Sequence, residues 1–123
     1  MARGLAVFDM DRTLTTQAVA HVVGDALGVR EQVKALSARR DAGELSQQQV
    51  TEGIAALLQG VRVADFEHIV APIPLSPGAA EAVAALRAGG VVVAVCSDSF
   101  SRAVAPLAAR LGVGLWAANV LEE

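Results

Sequence analysis

A short apolar run, Leu5-Ala6-Val7-Phe8, leads straight into Asp9-Met10-Asp11-Arg12-Thr13-Leu14. The run reads as a buried parallel strand, Leu5–Asp9, and this constrains the chain more than any other feature. An extended chain alternates its faces, so Asp9 and Asp11 are expected to point the same way, off the strand's carboxyl end. Two ionised carboxylates delivered to one spot cost several kcal/mol unless something pairs with them. A bound cation together with covalent chemistry gives them a purpose. Arg12, between the two key positions, is expected to point away, and Thr13 to steady the loop through its hydroxyl.

The rest of the chain alternates helical and extended patterns. Val19, Val22, Val23, Ala26 and Leu27 form one apolar stripe that Gly28 ends. Glu31–Ala42 is a weaker helix closed by Gly43. Ser46 and Gln49 match the reciprocal capping pattern ahead of Val50, Ile54, Leu57 and Leu58. Ala64–Val70 is a short helix stopped by Pro72 and Pro74. Ser76 as N-cap and Pro77 in the first position open another helix, which runs to Gly89-Gly90. Val91–Cys96 is a strand apolar on both faces and expected to be buried on both, with Cys96 a packed core residue. Phe100–Leu111 is helical, with a kink or late start at Pro106, and Leu115–Asn119 is a third strand, where Trp116 packs.

Strand, helical insertion, helix, strand, helix, strand is the order of an open parallel α/β sheet of three strands, with an all-helical cap inserted after the first. The expected division is 1–15 and 75–123 for the core and 16–74 for the cap. Ligands in such sheets bind beyond the carboxyl ends of the strands. Asp9-Met10-Asp11 and Ser97-Asp98-Ser99 both fall there. An aspartate there can attack phosphorus, and a second carboxylate can move the proton of the leaving alcohol. Ser97 can donate its hydroxyl to a phosphate oxygen, and the N–H groups of Asp98 and Ser99 lead toward a helix N-terminus that favours anions.

Composition narrows the class. The chain has 123 residues and a net charge of −3, which argues against a nucleic-acid partner. Its longest apolar run, Val91–Cys96, is too short to cross a bilayer, and no signal-peptide pattern opens the chain. A lone Cys96 fits a reducing cytoplasm. Arg39 and Arg40 are expected on a solvated helix face, and His68 in solvent. Gln17, His21 and Gln47 are candidates for substrate selection, since cap elements near a cleft serve that role.

These motifs resemble the haloacid dehalogenase superfamily, whose first motif is Asp-x-Asp-x-Thr and whose second is a Ser or Thr ending the next strand. Phe8-Asp9-Met10-Asp11-Arg12-Thr13-Leu14, the cap length, Leu75-Ser76-Pro77-Gly78-Ala79 and Val93-Ala94-Val95-Cys96-Ser97-Asp98-Ser99-Phe100 are most similar to the phosphoserine phosphatase branch. Leu111-Gly112 and Ala118-Asn119-Val120-Leu121 fit it too. The resemblance implies Mg²⁺-dependent hydrolysis of a small phosphorylated metabolite through an aspartyl-phosphate. Asp9 would be nucleophile and Mg²⁺ ligand, and Asp11 acid/base and Mg²⁺ ligand through its carbonyl. Ser97, Asp98 and Ser99 would form the phosphate seat.

Departures from that pattern also carry information. Ala18 stands where the branch places a Glu for the substrate amine, and Ile54 near its Arg for the carboxylate. Asp98-Ser99 replaces a Gly-Gly pair. These point away from phosphoserine as the substrate. The family's phosphate-neutralising Lys and distal acidic pair are expected beyond this segment, and Lys34, in the cap, is no substitute. The chain thus reads as the N-terminal portion of such an enzyme, weakly active or inactive alone. Without the strands that follow in the family, strand one is an open edge, and self-association through it is expected. A phosphate dianion ~4 Å from Asp9 is repelled by roughly 8 kcal/mol at an effective dielectric of ~20, so the charge balance matters. A catalytically silent phosphate- or partner-binding module, and phosphoryl transfer to another acceptor, both remain open.

Overall fold

The computed structural model describes residues 3–121. Strands β1 (Gly4–Phe8), β2 (Val91–Phe100) and β3 (Leu115–Asn119) form one parallel sheet in the order β1-β2-β3. Between β1 and β2 lie α1 (Val19–Leu27), α2 (Arg30–Asp41), α3 (Gln47–Leu57), α4 (Val63–Val70) and α5 (Ala79–Ala88); α6 (Ser101–Arg110) joins β2 to β3. The α/β class and the inserted helices therefore stand as expected.

Local chemistry sets most boundaries. Ser46 caps α3 by accepting the Gln49 N–H at 3.1 Å, while the Gln49 side chain accepts the Ser46 N–H at 2.8 Å. The start of α5 differs from the expectation. Ser76 and Pro77 do not open the helix, because Ser76-Pro77-Gly78-Ala79 forms a turn closed by the Ala79 N–H on the Ser76 carbonyl at 3.0 Å. Pro in its second position and Gly78 in the third, at φ 82 and ψ −4, are what a type II turn demands, so α5 begins only at Ala79. Pro106 lies inside α6, which already starts at Ser101.

The register shows which side of the sheet is covered. Leu5 pairs with Val92, Val7 with Ala94, and Ala94 with Leu115, so these side chains share one face. The opposite face carries the buried Val93 and Val95, in one apolar cluster with Val83 of α5 and Val104 and Leu107 of α6. Both crossovers pass to that same side, as same-handed connections in a sheet growing in one direction require. The first face is left bare: Leu5 is 63% exposed, Val7 58% and Leu115 54%. The expectation of strands buried on both faces is thus corrected. Cys96 also lies on the bare face, opposite Ala117, and is exposed rather than a core cysteine.

The insertion leaves and rejoins the sheet at one place. Thr15 and Leu75 form an antiparallel bridge, flanked by Thr16 N–H to the Pro74 carbonyl (3.1 Å) and Ser76 N–H to the Leu14 carbonyl (2.8 Å). Beyond this stem, α4 packs on α6, with the rings of Phe66 and Phe100 edge to face at 6.5 Å. Arg110 adds a hydrogen bond to the Ile73 carbonyl at 2.9 Å. Among the described residues no helix is long and apolar enough to cross a membrane.

Candidate active site

The strand ends at Phe8, one residue before the first acid. Asp9 caps the turn that follows, its Oδ1 accepting the Met10 N–H at 2.8 Å. Met10 and Leu14 are buried and anchor that turn. Thr15 closes it: its N–H meets the Met10 carbonyl at 3.1 Å, and its hydroxyl lies 3.1 Å from the same carbonyl and 2.9 Å from that of Gln17. Asp11 accepts the N–H of Val19, the first residue of α1, at 3.2 Å. Both acids therefore reach one cavity, but not by strand alternation. A tight turn pinned at both ends places them, with Arg12 at its crest in the left-handed region at φ 58.

The cavity has a volume of about 330 Å³. Asp9, Asp11 and Arg12 line it from this loop, and Ser97, Asp98, Ser99 and Phe100 from the end of β2. Two sequence motifs far apart in the chain thus meet. The second motif differs in detail from the expectation. β2 stays extended through Phe100, with its pairing to β3 irregular between Cys96 and Phe100, and α6 starts only at Ser101. The N–H groups of Asp98 and Ser99 therefore do not lie in the first helical turn. The Ser99 N–H instead donates to Ser97 Oγ at 3.0 Å. That bond uses the Ser97 oxygen as acceptor and leaves its O–H to donate elsewhere. The Asp98 carbonyl accepts Asn119 Nδ2 at 2.8 Å, tying the motif to the end of β3.

The cap supplies the opposite wall. His21 of α1, Ser37 and Arg40 of α2, and Gln47 and Thr51 of α3 all face the cavity. Arg40 Nη1 donates to Gln47 Oε1 at 2.7 Å, and Gln47 Nε2 to Thr51 Oγ1 at 3.3 Å. Ala18 and Ile54, the two positions that depart from the family pattern, line it as well.

Of the residues singled out in the sequence, Asp9, Asp11, Ser97, Asp98, Ser99, His21 and Gln47 converge here. Thr13 and Gln17 do not line this cavity. Thr13 is exposed beside Phe8, Ser76 and Gly78, and the buried hydroxyl that braces the loop belongs to Thr15. Two arginines run against expectation. Arg12, with its left-handed backbone, lines the cavity instead of pointing away from it. Arg40 is half-exposed but also lines the cavity: with the buried Val33 and the cavity-lining Ser37 it falls at i, i+4 and i+7 on the inner side of α2. That spacing is the signal by which Arg40 could have been found.

Electrostatics follow the geometry. Burial pushes the Asp11 carboxyl above its ordinary range; the Val19 amide opposes this, Asp9 adds to it, Arg12 opposes and Asp98 adds again. Burial also pushes the His21 imidazole below its ordinary value, helped most by the Arg12 guanidinium. As for a metal, Asp9 Oδ2 makes no hydrogen bond among the described residues, and hard oxygens of this kind suit Mg²⁺, which keeps several waters. No cluster of three acidic, histidine or cysteine side chains able to hold an ion is found among the described residues. Of the Asp9 carboxylate oxygens, Oδ2 is the one left unpaired for such an ion.

An α/β sheet with twin acids on the first strand's loop and a serine at the end of the next defines a class of phosphoryl-handling hydrolases. The haloacid dehalogenase-like hydrolase family model matches residues 6–123, and the chain belongs to that family. It is similar to phosphoserine phosphatase of Streptococcus thermophilus, 34% identical over 120 residues covering 98% of this chain and 56% of that protein. It is also 36% identical over 118 residues to phosphoserine phosphatase of Archaeoglobus fulgidus, covering 96% of this chain and 34% of that one. A solved phospho-aspartyl intermediate analogue of phosphoserine phosphatase superposes with a TM-score of 0.88 at 29% identity, over all of this chain (100%) and 59% of the other. A substrate-bound phosphoserine phosphatase complex gives 0.87 at 28% identity, over 100% of this chain and 58% of that one. The chain thus spans about a third to just over half of the length of these relatives.

Proposed function

We propose that this chain carries the nucleophile half of a phosphomonoester hydrolase acting on a small phosphorylated metabolite. The observation that supports it most is the convergence of Asp9, Asp11 and Ser97 on one cavity from two distant segments, the turn after β1 and the end of β2. Asp9 Oδ2 attacks phosphorus while the ester P–O bond breaks, and Asp11 gives a proton to the departing alcohol. Asp11 then takes a proton from water, which attacks the aspartyl-phosphate, releases phosphate and restores Asp9. The Ser97 hydroxyl, oriented by the Ser99 N–H, donates to a phosphate oxygen. Asp98 and Ser99 complete that seat. Mg²⁺, held by the Asp9 carboxylate and by Asp11, would neutralise phosphate charge when bound. The name of the intermediate analogue among its structural neighbours supports the covalent step.

The division into a core, 1–15 and 75–123, and a cap, 16–74, belongs to the same proposal, supported by the Thr15–Leu75 bridge at the stem. So does a cytoplasmic setting without nucleic-acid or membrane partners, supported by the net charge of −3 and the single thiol. The test is hydrolysis of para-nitrophenyl phosphate with Mg²⁺ by the full gene product. Turnover is expected in the wild type and none in Asp9→Asn, whereas equal rates in the two would end the proposal.

A second reading is favoured by the bare sheet face. Leu5, Val7 and Leu115 form an exposed apolar surface beside the open β1 edge, which fits a partner surface or a second copy of the chain. On this reading the chain is a catalytically silent phosphate- or partner-binding module. Leu5→Lys with Val7→Lys is expected to lower the self-associated fraction in sedimentation without unfolding the chain. An unchanged fraction would remove this reading.

A further inference from the structure

The charges around the cavity are not evenly spread. Among the described residues, the carboxylates that line it, Asp9, Asp11 and Asp98, stand on the loop after β1 and near the end of β2. The helices α1, α2 and α3 contribute no carboxylate to the lining among the described residues. They contribute Arg40, His21, and neutral polar or apolar groups such as Gln47, Thr51 and Ile54. Arg12 adds a second cation to the lining, from the core loop, and its charge acts on both Asp11 and His21.

Two features make these arginines more than surface charges. Arg12 holds a left-handed backbone at φ 58, a conformation that costs a non-glycine residue about 1–2 kcal/mol, and its side chain makes no hydrogen bond or ion pair among the described residues. A strained position in the turn that carries Asp9 thus lines the cavity with an arginine whose side chain has no partner among the described residues. Arg40 is steadied on one side by Gln47 at 2.7 Å and by the exposed Asp41 at 3.4 Å. Its planar fork has further N–H groups to offer a carboxylate. An ammonium group reaching the cap side would meet two cations and no cap carboxylate.

Resting on the phosphomonoester reading above, we propose that the substrate is a phosphorylated hydroxy acid without an amine, its carboxylate held by Arg12 and Arg40. The phosphate then sits against Asp9, Ser97 and Ser99, and the leaving alcohol points toward α2 and α3.

Titration calorimetry of the full gene product carrying Asp9→Asn, which binds esters without forming the aspartyl-phosphate, tests this, using orthophosphate, 2-phosphoglycolate, propyl phosphate and O-phosphoethanolamine as probes. The carboxylate ester is expected to bind about tenfold or more tighter than the ammonium ester, with propyl phosphate between. That ratio is expected to fall toward one in Arg12→Gly, which suits the left-handed turn and so folds, and in Arg40→Gln. Arg62→Ala, exposed and outside the cavity lining, is expected to keep it. Equal affinities for the three esters alongside orthophosphate binding, or a preference for the ammonium ester, would overturn the inference and leave the phosphate seat standing. No binding of orthophosphate or any ester would remove the phosphate seat and the inference together.

Discussion

The two walls of the cavity are built in different ways. The core wall is a backbone construction: the turn from Asp9 to Gln17 is closed by short-range hydrogen bonds from Met10, Thr15 and Val19, and its acids have little freedom. The cap wall is made by side chains on three helices, α1, α2 and α3, and only tertiary packing brings them together. The chemistry-bearing groups therefore sit where a handful of neighbouring residues fixes them. The groups that on the proposed reading would choose a substrate sit where distant helices must agree. On that reading a change of specificity could be written into those helices without disturbing the core turn.

Three variants sharpen or break this contrast, in falling order of effect. Phe66→Ala removes the ring that joins the cap's α4 to Phe100 at the root of the core wall. A loss of about 3–5 kcal/mol in denaturant unfolding is expected for such a buried phenylalanine. A loss below about 1 kcal/mol would mean that the two walls are not joined there. Thr15→Val acts within the core wall alone, removing a buried hydroxyl from the Met10 and Gln17 carbonyls. It is expected to cost about 1–3 kcal/mol by the same measurement, and no cost would show that the turn holds without its brace. Arg12→Gly probes the boundary between the walls. The His21 titration, followed by proton NMR of its ring, starts below the ordinary histidine value because of burial and then Arg12. Its midpoint is expected to rise when the guanidinium is removed and to stay below the ordinary value, because burial persists. An unmoved midpoint would place Arg12 outside the cavity.

Sequence reading succeeded where structure is local and failed where it is not. The placement of Asp9, Asp11 and Ser97 at one cavity was legible because each lies at or near the carboxyl end of a strand, and those ends share one edge of a parallel sheet. The capping box at Ser46 and the stop at Gly28 were legible for the same reason. Arg12 was misread because strand alternation was extended past Phe8, into a turn whose backbone breaks the period. The choice between Thr13 and Thr15 as the brace needed that turn's closure, which composition does not show. Burial of both sheet faces was inferred from apolar runs in β1 and β2. Yet an apolar face records what a strand is suited to meet, and both helices went to the other side.

The central claim is that Asp9, and no other carboxylate of the cavity, bonds to phosphorus. Incubation of the full gene product with a phosphate ester and Mg²⁺, followed by borohydride reduction and peptide mass spectrometry, reads this directly, since reduction of an aspartyl-phosphate leaves homoserine. Homoserine at position 9 alone is the expected result. Homoserine at Asp11 or Asp98, or at no position while ester is being consumed, would contradict it.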